Sequence, residues 1–277
     1  MYAHCVAAPG HDVHRGHHGH HGTAGCLYYL VGPRFGLLPP NAYSVVMNSV
    51  PSTDAATPSA DQRLPADHPG IAELFALLAY GEVAAFYRLT DEAKMAPSLR
   101  GRISMAEMAA AEIGHFDVLR EALQRRGVEV VAAMSKYANA LDNYHRLTMP
   151  STWLEALVKT YVGDAMAADF YLQIADVLPD EAAAVVRAVL AETEHSQFVV
   201  DEVRAAISAS AKQRSRLALW SRRLLGEAIT QAQYVLADHD ELVDLVASGA
   251  AGLSQLATFF DRIQHTHDER MRELGLA

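Results

Sequence analysis

Two short runs carry residue types that do chemistry: Glu112-Ile113-Gly114-His115 and Ala191-Glu192-Thr193-Glu194-His195. Both contain Glu-x-x-His. On an α-helix residues i and i+3 share a face, so each run offers one carboxylate and one imidazole to the same place. One such pair means little, because both residues are common on helices. Here each pair follows a further carboxylate set in an apolar stretch about thirty residues ahead, Glu82 before Glu112 and Asp164 before Glu192. Glu82, Glu112, His115, Asp164, Glu192 and His195 together make four carboxylates and two imidazoles. Four negative charges balance two divalent ions, which removes the cost of uncompensated charge inside a helical core. Hard oxygen donors with one imidazole per metal suit iron, with manganese as the alternative. Bridging carboxylates would hold two ions roughly 3.5–4 Å apart. Any one of the six is easily a surface residue of an Ala-rich helix, but six in repeat order and spacing are not. Asp169 replaces Asp164 if the helix register differs.

Helices must position these groups. The apolar residues Ile71, Leu74, Phe75, Leu78, Ala85 and Leu89 recur at helical period around Glu82, predicting a helix from Pro69 to about Met95. A second helix over about 98–126 centres Glu112 and His115 and ends on Arg125-Arg126-Gly127, cations followed by a C′ glycine. Residues 128–150 form a long connection with a short helical piece. Within it Asp142 and His145 also stand at i,i+3, but they lack a partner and read as a decoy. Thr152 and Glu155 are spaced as a capping box before a third helix to about Val177 that carries Asp164. A fourth, from Pro179 to about Ser210, carries Glu192 and His195. Gly81–Tyr87 loosely resembles Gly163–Tyr171, so two helix hairpins would form a pseudo-two-fold bundle. The fold class is all-α: a four-helix bundle over 69–210 with a long crossover, and additional C-terminal helices over 212–275. Tyr80, Tyr87, Tyr161 and Tyr171 fall near the ligand level and are expected mostly in the core. His265 and His267 diverge at i,i+2 and are expected in solvent.

Residues 1–68 differ from the rest. Seven of the 14 histidines lie in the first 21 residues, and 48–66 are polar and rich in Pro and Ser. Such composition cannot bury a core, so a disordered extension is expected, with Met47 as an alternative start. Two cysteines, Cys5 and Cys26, give neither a disulfide framework nor a thiolate metal site. A net charge of −10 makes long-range attraction to nucleic acid not the default and leaves room only for a local basic patch. No run reads as a membrane span, and a cytoplasmic location is expected.

The six ligands resemble the pattern of the ferritin-like di-iron carboxylate superfamily over roughly 70–210. Within it, the stretch Met108-Ala109-Ala110-Ala111-Glu112-Ile113-Gly114-His115-Phe116, the stretch Ala191–His195 and the additional C-terminal helices are most similar to tRNA 2-methylthio-isopentenyladenosine hydroxylases. Asp164 departs from the Glu more usual at the third carboxylate, shortening that ligand by one methylene. The resemblance implies two iron ions, O₂ as co-substrate, hydroxylation of a prenylated adenosine in tRNA, and an external reductase supplying electrons. The one dense basic stretch, Lys212, Arg214, Arg216, Arg222 and Arg223, would then contact the tRNA backbone, and Trp220 would stack on a base. A di-iron enzyme acting on a small metabolite and a non-enzymatic iron-binding protein are the competing readings.

Overall fold

The computed structural model describes residues 63–190, 196–248 and 253–277, with the side chains of 196, 248 and 253–259 set aside. The His-rich run, both cysteines and Met47 lie outside the described residues, and so do Glu192 and His195. All regular structure among the described residues is helical, in ten segments.

The helix ends follow local chemistry. Helix α1 (Pro69–Ala93) starts with proline at its first position, and His68 Nδ1 accepts the Gly70 N–H at 3.1 Å. Helix α2 (Leu99–Arg125) is capped by Ser98, whose Oγ accepts the Gly101 N–H. It ends at Gly127 in the left-handed region (φ 72), where Gly127 and Val128 donate back to Gln124 and Leu123. The connection holds two helices, α3 (Val130–Ser135) and α4 (Ala138–Leu147). Helix α5 (Trp153–Ala175) has the expected Thr152 cap, accepting from Glu155 N–H at 3.3 Å. The returning half of the capping box reaches Ser151 N–H instead of Thr152, and the other Glu155 oxygen receives Arg216 from a distant helix.

Within the expected helix over 179–210, the described residues form α6 (Asp180–Val189), after which Leu190 has φ −96 and ψ 9, and α7 (Ser196–Ser208). Helices α8 (Ala211–Asp238), α9 (Asp240–Ser248) and α10 (Leu253–Leu274) complete the chain. Helix α1 is apolar and long enough to cross a membrane by composition. That character has a structural cause: α1 is packed on several sides, against α2, α3, α4, α5 and α9. At Gly70 a Cβ would run into the Glu241 carbonyl and Leu245, so glycine is what lets α9 lie against α1. Residues 63–68, left out of the fold on composition, are tied to it: Leu64 N–H donates to Val177 O at 3.0 Å, and Arg126 to Ala66 O.

The core comes in two halves. Ile71–Ala79 of α1, Leu119–Leu123 of α2, Ile174–Ala175 of α5 and Ala182–Val189 of α6 make one apolar cluster. Leu89, Met105–Ala109, Leu157–Met166 and Val199–Ile207 belong to the other. Between them Glu82, Glu112 and His115 interrupt the apolar stripes of α1 and α2 at one level.

Candidate metal centre

Glu82 reaches this level from α1, while Glu112 and His115 reach it from adjacent turns of α2. His115 Nδ1 lies 3.4 Å from Glu82 Oε2 and 3.6 Å from Glu112 Oε2. One donor atom from each of the three lies within 4.8 Å of the others. Two ligands of one first-row ion, at bonds of about 2.0–2.2 Å, sit at most about 4.4 Å apart. Both distances from His115 satisfy that limit. The donor set, two carboxylates and one imidazole, fits iron or manganese.

The electrostatics show what the cluster does with charge. Burial, then the neighbouring Glu112, holds the Glu82 carboxyl well above the usual carboxylate range, against the pull of His115. Burial acts on Glu112 in the same sense, but contacts with His115 and Glu82 and the charge of Arg88 outweigh it and leave Glu112 low. His115 is pushed up to about 10, first by Glu112 and then by Glu82. A proton on His115 therefore supplies the positive charge that a metal ion would supply, and ion and proton compete for the same place.

Asp164 lines the same cavity but is directed to Arg88, whose Nη2 donates to Asp164 Oδ1 at 3.2 Å. About half of the Asp164 side chain is accessible, and that half faces the cavity. Enclosure there pushes its carboxyl up to about 7 despite the opposing charge of Arg88. Arg88 also donates to Glu92 and Thr160, each at 3.0 Å, and Lys159 Nζ stands 3.8 Å from Glu92. Asp169, the alternative ligand, is gripped by Arg270 of α10. Of the six expected ligands, three converge, Asp164 is nearby in an ion pair, and Glu192 and His195 fall outside the described residues.

The cavity in front of the cluster measures about 530 Å³. Its walls come from α1, α2, α4, α5, α6, α7 and α10, with Arg270 and Glu273 from the last. Tyr161 donates to Glu273 at 2.7 Å, and Tyr171 lines the wall. Tyr80 instead donates to Asp142, and Tyr87 is exposed.

Several sequence expectations are corrected. Asp142 and His145 do not act as a ligand pair, but His145 lines the cavity, where burial pushes its pKa down to about 2, so it is neutral. The i,i+3 pairing with Asp142 was a false signal; an apolar stripe on α4 (hydrophobic on one face, polar on the other) could have shown that His145 faces inward. His267, expected in solvent, is only 1% exposed, whereas His265 is exposed. Trp220 is buried and donates to the Glu155 carbonyl at 2.9 Å, so it has no free face for a base. Arg216 is paired with Glu155, and Arg223 donates to the Leu147 carbonyl, so both serve to dock α8. Lys212, Arg214 and Arg222 remain exposed. Sequence reading missed Arg88, Glu92 and Lys159, whose helical positions resemble solvated ones.

A family model described as a ferritin-like domain of actinomycetes matches residues 66–249. The chain belongs to this ferritin-like family. The match runs past the bundle through α8 and α9, which places those helices inside the family's domain. No curated protein matches the chain.

Proposed function

We propose that this ferritin-like protein is a di-iron, O₂-dependent oxidoreductase that hydroxylates an organic substrate. The observation that carries this reading is the cavity of about 530 Å³ in front of Glu82, Glu112 and His115. Chambers of roughly 300–1,000 Å³ suit small organic molecules, whereas handling iron alone needs no such space. Bound iron would supply activation of O₂ for attack on a C–H bond.

The chain's own residues do the rest. Glu82, Glu112 and His115 hold metal. Leu78, Met108, Leu172 and Val200 exclude water from one part of the chamber. The Arg270–Asp169 and Tyr161–Glu273 pairs form a fixed polar wall that orients a substrate. Neutral His145 offers a hydrogen-bonding ring nitrogen without adding charge.

Hydroxylation of a prenylated adenosine in tRNA is the finer form of the proposal. It is supported by the Met108–Phe116 resemblance and by exposed Lys212, Arg214 and Arg222 on α8. An external reductase and a cytoplasmic site of action go with it. The test has two parts. Iron-loaded protein with a chemical reductant should consume O₂, and failure to do so would remove the oxidoreductase reading. Mass spectrometry of tRNA nucleosides from cells with and without the gene should show loss of a hydroxylated adenosine; an unchanged level, in cells that make it, removes the tRNA substrate and leaves a small metabolite.

A further inference from the structure

We infer that a second chamber, beside the metal-facing one, binds a small neutral molecule: a chain or ring of about six to eight carbons bearing one hydroxyl or carbonyl, held by the Gln231 carboxamide. The inference does not rest on the metal reading, because none of Glu82, Glu112 and His115 lines this chamber.

The sequence accounts for the space. Helices α1, α4, α5, α8, α9 and α10 meet around it, and three of them present small residues: Ala140, then Gly163 and Ala167, then Ala228 and Ala232. The cavity they leave measures about 170 Å³. Close helix approach does not demand the glycine, since a Cβ at Gly163 would meet nothing nearer than the Tyr144 hydroxyl at 3.8 Å. Cores normally fill such space, because an empty cavity costs stability in proportion to its volume. An apolar void of roughly 150 Å³ already holds benzene. Gln231 interrupts the apolar wall. It stands one helical turn from Ala228 and Val235 on α8, at i−3 and i+4, where a core side chain is expected. It is only 7% exposed, yet its side chain forms no hydrogen bond with any described residue. A buried amide without a partner is unfavourable, and a ligand hydroxyl or carbonyl at this wall would relieve it, because the amide both donates and accepts. Among the described residues that line the chamber none is charged, so a charged ligand would be buried without a counter-ion. Leu141, Ala167 and Tyr171 line this chamber and the metal-facing one alike, and form the partition between them.

The experiment is calorimetric titration of the full chain, without added metal, using 1-hexanol, benzene, hexanoate and hexylammonium as probes. Wild type should bind one 1-hexanol per chain with a Kd below about 1 mM. Hexanoate and hexylammonium should bind at least about tenfold more weakly. Gln231→Leu keeps the volume and removes the amide, so it should weaken 1-hexanol about tenfold and leave benzene within about threefold. Ala232→Leu fills the space and should weaken both probes about tenfold or more. Gly163→Ala, whose added methyl has room, gives a second filling variant if Ala232→Leu does not fold, and should weaken both about fivefold. No binding of any probe, charged probes bound as tightly as 1-hexanol, or 1-hexanol affinity unmoved by Gln231→Leu would each overturn the inference. So would filling variants that leave both affinities unchanged, since the probes would then lie elsewhere.

Discussion

Metal binding should release a proton from His115, and the size of that effect can be worked from the site. His115 stands 3.4 and 3.6 Å from two carboxylate oxygens and is pushed up to about 10. At pH 7 its ring is therefore protonated, and an ion must displace that proton before the imidazole can ligate. Three pH units below the pKa correspond to roughly a thousandfold handicap, or about 4 kcal/mol. The side chain is 24% exposed, so solvent screening should trim this to nearer a hundredfold. The slope is less sensitive to that correction than the size. Apparent affinity for metal at Glu82, Glu112 and His115 should rise about tenfold per pH unit from pH 6.5 to 8.5. A proton retained on Glu82, whose carboxyl is also raised, would steepen the slope toward two decades per unit. The assay is calorimetry with Mn²⁺ in buffers of different ionisation enthalpy, which counts protons released per ion. His115→Gln should bind more weakly and show a slope smaller by one. Affinity flat across this range, with no proton released, would refute the assignment of His115 as the ion's competitor and ligand.

Other consequences follow from the same contacts. Because the folded pKa of His115 lies above its unfolded value, the proton's stabilising effect is complete below about pH 6.5 and is lost as pH rises toward 10. The melting temperature of the metal-free protein should fall across that window, and His115→Gln should flatten this part of the profile. Gly70→Ala should cost about 1–3 kcal/mol by forcing α9 off α1, read as a lower urea midpoint at unchanged slope. Trp220→Phe should cost about 1 kcal/mol through the lost bond to the Glu155 carbonyl, and should leave metal stoichiometry unchanged. Glu82→Ala should abolish tight metal binding at this cluster, measured by metal analysis after anaerobic loading, because it removes one of three converging donors.

The sequence by itself determined the helices and the level of the site. Apolar period 3.6, the His68-Pro69 start, the Ser98 and Thr152 caps and Gly127 are local signals, and each acts within a turn of the backbone it controls. Glu112 and His115 were legible for the same reason, since their spacing alone puts them on one face. Glu82 was legible as a carboxylate inside an apolar stripe, which needs a partner. What these signals lack is any record of which residue from another helix arrives opposite. Asp164 has the right spacing, but tertiary packing gives it to Arg88, 76 residues earlier. His145 reads as half of an unpartnered pair with Asp142 until packing of α4 brings it to the cavity wall. Trp220 and Arg216 read as a basic, base-stacking surface until α8 docks and Glu155 takes both, one through its carbonyl and one through its carboxylate. Charge compensation in a core is a sum over helices far apart in sequence, so the chain fixes which helices carry ionisable groups, and only packing decides whether metal, proton or arginine neutralises each one.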